Sequence, residues 1–140
     1  MNYDPIFDKW HEECGVFGVF DRTVDVARYV YWGLFALQHR GQESAGIAIT
    51  DGNEVALKKG MGLLTEAIKE LPTLKSHMGT GHVRYSTTGS NNPRNIQPLV
   101  IHYQGGQIAV AHNGNLTNAL DIRRRLEADG SIFQTTMDSE

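Results

Sequence analysis

The sequence predicts an α+β domain made mainly of antiparallel sheet, with helices packed outside it. Short β-prone apolar runs outnumber helical stretches, and tight-turn signals join several of these runs as hairpins. The 140 residues are 40% hydrophobic, so the chain can bury a core as one domain without disulfide or metal staples.

In chain order, Cys14 to Phe20 is short, apolar and β-prone and reads as a buried strand. Asp25 to Gln38 reads as a helix, because Val26, Val30, Gly33, Leu34 and Leu37 fall on one apolar face. Gly41 is the expected helix stop. Ala45 to Thr50 reads as a strand that turns at Asp51-Gly52 and returns over Glu54 to Lys58. Thr65 to Leu71 predicts a short helix closed by Pro72. Gly81 to Ser86 is a further strand. Leu99 to Tyr103 and Gln107 to His112 flank Gly105-Gly106 as a hairpin whose turn needs φ > 0. Thr117 to Ala128 predicts a helix with Thr117 as N-cap and Gly130 as stop, and Ile132 to Thr136 a last strand.

Charge and composition exclude several classes. The 13 basic and 16 acidic residues give a net charge of -3, with no electrostatic footprint for nucleic acid. The single cysteine excludes an internal disulfide and any multi-cysteine metal cage within this stretch, and it fits a reducing compartment. Residues 1–13 are charged and lack the apolar run of a secretory signal, and no window could cross a bilayer. The expected location is the cytoplasm, without membrane contact.

Taken singly, the chemistry-bearing residues are weak signals. Gly79-Thr-Gly81-His-Val-Arg84 breaks the GxGxxG phosphate-loop pattern at its last position. The six histidines show no metal-ligand spacing, so no metal site is expected. A lone Cys14 is more often a small buried hydrophobe, Asn113-Gly114 a tight turn, and Arg84 and Asp138 surface charges. Two polar, Gly-containing stretches, 39–46 and 86–93, abut strands, where sites are commonly built.

The ordered combination is far more specific. Glu13-Cys14-Gly-Val-Phe-Gly18, His39-Arg-Gly-Gln-Glu-Ser-Ala-Gly-Ile47, Gly81-His-Val-Arg-Tyr-Ser-Thr-Thr-Gly89, Asn95-Ile-Gln-Pro98, His112-Asn-Gly-Asn-Leu116 and Thr136-Met-Asp-Ser-Glu140 follow one another. This series resembles the glutaminase domain of class II glutamine amidotransferases, from Cys14 to the last residue. The Cys14 and Arg84 motifs favour the purine-synthesis branch of that family over its hexosamine-forming and asparagine-forming branches.

The resemblance implies an N-terminal-nucleophile hydrolase fold, a four-layer αββα sandwich with two mostly antiparallel sheets. It implies hydrolysis of the glutamine side-chain amide through a cysteine thioester. The ammonia then passes to a second domain and displaces pyrophosphate from phosphoribosyl pyrophosphate, giving phosphoribosylamine. That second domain lies beyond Glu140, where the family's glutaminase domain also continues. No cofactor is implied for this segment. Mg2+ is implied for the full-length enzyme, a 4Fe–4S cluster is left open, and a homo-oligomer is expected.

Residue by residue, the resemblance makes Cys14 the nucleophile and gives the oxyanion to the Asn113 side-chain amide and the Gly114 N–H. Arg84 would take the glutamine α-carboxylate through its planar fork, and Asp138 the α-ammonium. Arg40 and Thr87 would line the site in supporting roles.

The chemistry adds a requirement of its own. A thiol of pKa about 8.5 needs a base to attack an amide well, and an α-amine at about 7.7–8.0 is well matched. Residues 1–13 precede Cys14, and a peptide nitrogen is no base. Residues 1–13 are therefore expected to be a propeptide, cleaved at Glu13–Cys14, and residues 14–140 the amidotransferase domain. Two rivals come from other classes. A papain-like thiol protease would use Cys14, His112 and Asn113, but its cysteine opens a helix rather than an apolar strand. A non-catalytic regulatory module would release no ammonia from glutamine.

Overall fold

The computed structural model describes residues 14–85 and 92–140; the expected propeptide and Thr87 lie outside them. Its strands are β1 (Gly15–Phe20), β2 (Ser44–Thr50), β3 (Val55–Met61), β4 (Met78–Arg84), β5 (Leu99–Tyr103) and β6 (Gly106–Val110). Its helices are α1 (Val26–Ala36), α2 (Leu64–Ala67) and α3 (Ala119–Ala128), with single 3-10 turns at Gln38–Arg40 and Pro93–Asn95. Four strands form one sheet in the order β1-β4-β2-β3, and β5-β6 form a second, every pair antiparallel. The Gln107 side chain links the sheets, its Oε1 accepting from the Val55 N–H at 2.6 Å.

Helix α1 forms where the apolar period predicts, with Val26, Val30 and Leu34 at most 1% exposed. Asp25 caps it, its carboxylate accepting from the Arg28 N–H at 3.2 Å. With Ala45, Ile47, Ile49, Leu64, Ile68 and Val83, this face makes the core. Gly79 and Gly81 of β4 seat the helix: a Cβ on Gly81 would lie 2.6 Å from Leu34 Cδ1 and 2.7 Å from Val30 Cγ1. These glycines belong to helix packing, not to a phosphate loop.

Alternation along the strands gives the large sheet two different faces. Gly79, Gly81 and Val83 meet α1, whereas Thr80, His82 and Arg84 point the other way, as do Ser44 and Gly46 of β2. On that second face, a Cβ on Gly46 would collide with the Gln97 carbonyl oxygen. His82 is 1% exposed there, and burial, reinforced by the Arg84 charge, pushes its pKa down to about 4.

Six local expectations require correction. Strand β1 is not buried throughout: it lies at the sheet edge with Val16 and Phe20 exposed. Gly41 does not end α1, which stops at Ala36; Gly41 has φ of -164° and lies where a Cβ would touch the Arg84 backbone. Helix α2 spans only four residues, because the chain turns at Ile68 to bury that side chain in the core. In the hairpin, Tyr103 pairs with Gly106, so the turn is Gln104-Gly105 and positive φ falls on Gly106. Helix α3 starts at Ala119 after Asn118, which makes no side-chain cap, rather than after Thr117. Ile132 to Thr136 is not a strand. Its polar backbone groups go to side chains instead: the Gln134 and Thr135 N–H groups to Glu140, the Thr135 carbonyl to Arg123 and the Thr136 N–H to Asn95.

Two expectations follow for stability. Gly81→Ala overpacks the α1 seat and should cost about 1–3 kcal/mol, measured by denaturant unfolding. His82 takes up a proton in the unfolded chain near pH 6.5 but in the folded chain only near pH 4. Stability should therefore fall by about 3 kcal/mol as pH drops from 6.5 to 4, and level off below that window. The same drop in His82→Gln would assign it to other groups.

Candidate active site

Pairing of Gly15 with Val83 carries Cys14, one residue before β1, opposite the Arg84 end of β4. The Cys14 side chain is half-buried. Its Sγ accepts from the Tyr85 N–H at 3.4 Å and lies 3.7 Å from the Tyr85 carbonyl. The Cys14 carbonyl accepts two bonds, from Asn113 Nδ2 at 2.8 Å and from Arg40 Nε at 3.3 Å. The thiol residue, an amide donor and a guanidinium thus meet from three distant parts of the chain.

Arg84 leaves the sheet on the same side. Its Nη1 donates to the Asn95 carbonyl at 3.2 Å, and its Nε lies 3.6 Å from Glu43 Oε1. The guanidinium is therefore held on two sides. Glu43 is itself anchored, its N–H donating to the Arg84 carbonyl at 3.0 Å and its carbonyl accepting from Gly62 at 2.7 Å. Asp138 Oδ2 accepts from the Leu116 N–H at 2.6 Å, and Oδ1 lies 3.6 Å from His112 Nδ1. Gly114 has φ of +159°, nearly extended, and a Cβ there would stand 2.8 Å from His112 Nε2. A close neighbour, His112, accounts for this glycine.

The 36–133 stretch matches the family model described as glutamine amidotransferases class-II. The chain belongs to the class-II glutamine amidotransferases.

Similar amidotransferases match over more of the chain. The chain is 46% identical over 133 residues to the amidophosphoribosyltransferase of Methanothermobacter thermautotrophicus, covering 92% of this chain and 28% of that protein. It is 48% identical over 133 residues to that of Bacillus subtilis, covering 93% and 28%. Among solved structures, it matches the glutamine phosphoribosylpyrophosphate amidotransferase of B. subtilis complexed with ADP and GMP. There the TM-score is 0.79 and identity 46%, over 88% of this chain and 27% of that one. A structure described as the allosteric regulatory enzyme of purine biosynthesis matches at a TM-score of 0.80 and 43% identity, over 88% and 27%. The chain thus spans 28% of the length of these curated relatives. The likeness carries the α+β, N-terminal-nucleophile hydrolase fold expected from the sequence, and the described residues include both antiparallel sheets.

Within this amidotransferase chain, Cys14, Asn113 and Arg40 are in direct contact. Arg84 is one residue from the backbone that flanks Sγ, and Gly114 and Asp138 gather around His112 and Leu116. Thr87 lies outside the described residues. A cleft of about 1180 Å³ between the β5-β6 hairpin and the 131–135 stretch contains none of the expected site residues. Among the described residues, no group of three or more His, Cys, Asp or Glu could hold a metal ion. No helix there is long and apolar enough to cross a membrane.

Sequence reasoning missed Glu43, Tyr85, Asn95 and Gln97. All four stand inside motifs already singled out, and Glu43 and Tyr85 lie next to or near an assigned residue. A carboxylate close to an arginine-bearing strand end was the available signal for Glu43. The Tyr85 contribution comes from backbone and leaves no side-chain signature.

Proposed function

We propose that this chain is the glutaminase portion of an amidophosphoribosyltransferase. It would hydrolyse the glutamine side-chain amide and supply ammonia for making 5-phosphoribosylamine from phosphoribosyl pyrophosphate, the first step of purine synthesis. The convergence of Asn113 Nδ2 and Arg40 Nε on the Cys14 carbonyl carries this reading, because it sets an amide donor beside the only thiol. The family membership and the likeness to amidophosphoribosyltransferases support it.

The nucleophile is the Cys14 thiol, and its base is the Cys14 α-amine once residues 1–13 are removed as a propeptide. The amine takes the thiol proton, and the sulfur attacks the amide carbon. The oxyanion that develops is met by the Asn113 amide and the Gly114 N–H. The Asn113 amino group carries two N–H donors, one of which bonds the Cys14 carbonyl; the other would serve the oxyanion. The ammonium form of the amine protonates the leaving nitrogen, the C–N bond breaks and ammonia departs, leaving a thioester. Water then attacks the thioester carbon, its proton passes through the amine to sulfur, and glutamate leaves.

Arg84 binds the α-carboxylate and Asp138 the α-ammonium, which together distinguish free glutamine from a glutamine residue in a protein. Arg40 and Thr87 line the site. Phosphoribosyl pyrophosphate, Mg2+, any iron–sulfur cluster and homo-oligomer contacts are assigned to the longer enzyme, in the cytoplasm, and no step above passes through them.

Two measurements test the reading. Intact mass of the active protein should show a chain beginning at Cys14; full glutaminase activity with residues 1–13 retained would eliminate the amine base. In steady-state glutaminase kinetics, Asn113→Ala should lower kcat by about 10²–10³ with KM little changed. Arg84→Lys should raise KM, because a point charge cannot reproduce the two-pronged grip on a carboxylate.

A further inference from the structure

Two buried carboxamides close together in sequence tie both halves of the site to the sheet. Asn95 and Gln97 are 3% and 4% exposed, and each engages a residue far along the chain with both ends of its amide. Gln97 Oε1 accepts from the His112 N–H at 2.6 Å, and its Nε2 donates to the His112 carbonyl at 3.1 Å. Asn95 Oδ1 accepts from the Thr136 N–H at 3.2 Å, and its Nδ2 donates to Thr136 Oγ1 at 2.8 Å. A reciprocal pair fixes orientation as well as distance, as a bridge between two strands does.

The backbone between these side chains is fastened as well. The Asn95 carbonyl receives Arg84 Nη1 at 3.2 Å, and the Ile96 carbonyl receives Lys59 Nζ at 2.8 Å. The Gln97 carbonyl lies against the bare Cα of Gly46. The 95–97 segment is thus pinned to β2, β3 and β4 on one side. On the other it grips His112, the residue before Asn113, and Thr136, which lies just upstream of Asp138.

We infer that Asn95 and Gln97 are positioning residues with separate tasks. Gln97 sets where the Asn113 donor stands relative to Cys14. Asn95 sets the separation between Arg84 and Asp138, and so acts as a ruler for the free α-amino acid. The inference rests on the glutaminase reading above and deepens it. A core role alone would make the two amides interchangeable in effect, since they are equally buried.

The test uses the full-length enzyme with glutamine as the probe. Glutaminase kcat and KM are measured for Asn95→Asp, Thr136→Val and Gln97→Glu, and the Kd for glutamine by calorimetry in the same variants carrying Cys14→Ala. Asn95→Asp and Thr136→Val should each weaken KM and Kd roughly tenfold while kcat stays within about threefold. Gln97→Glu should lower kcat at least about tenfold while KM and Kd stay within about threefold. Thr136 is exposed, so its variant keeps the Asn95 arm decisive if Asn95→Asp does not fold, and Gln97→Met serves the other arm in the same way. An active parent whose variants lose kcat and KM together, or lose neither, overturns the positioning roles alone. A parent that releases no ammonia from glutamine overturns the reading on which they rest.

Discussion

The antiparallel register of β1 on β4 is the constraint that the site depends on. Gly15 faces Val83, and from that pairing Cys14 arrives beside Arg84 and Tyr85. Successive side chains on a strand face opposite ways, and β4 is held by β2 as well, so a slip of one residue would exchange the two faces of β1. Phe17 and Val19 would then leave the core, and Phe17 would lose its seat on Gly33. The apolar packing of α1 therefore enforces the register, and the register places the thiol. The geometry of the proposed site is a consequence of core formation on the opposite side of the same sheet.

Much of that scaffold was legible in the chain. The apolar period of α1 and the β-prone runs of β1, β2 and β5 depend on neighbours in sequence, which is what pattern reading detects. Ile132 to Thr136 shows the opposite case. It has strand composition, but Arg123, Glu140 and Asn95 supply side-chain partners for its backbone, so no strand neighbour is needed. Helix α2 is cut short for a related reason, since burial of Ile68 outweighs another turn of helix. In the site, the order of the motifs supplied the expected nucleophile and its companions, which the proposed function takes up. The amide clamps were not legible, because Asn95 meets its partner 41 residues away and Gln97 meets its own 15 away. An Asn or Gln in sequence carries no mark of which distant backbone it will hold.

Electrostatics and order work together around Arg84. A guanidinium free in solvent would keep about 2 kcal/mol of rotamer entropy to be lost when a substrate carboxylate arrives. Here Glu43 and the Asn95 carbonyl hold it on two sides, so most of that loss has occurred on folding. The Glu43 charge also offsets part of the attraction that Arg84 exerts on an anion. In the role proposed for Arg84, orientation outweighs that offset, because a fixed planar fork would gain two parallel hydrogen bonds to a carboxylate, each strengthened by charge.

The buried imidazole beside this pair completes the balance. A protonated His82 would add a second positive charge near Arg84, out of contact with water. Burial keeps the ring neutral at any pH well above 4, so His82 adds no charge beside Arg84. In the proposed function, discrimination of a free amino acid then comes from where the charged groups stand. Position is what a sheet register, a seated helix and two buried amides can fix, and a solvated surface cluster of the same charges could not.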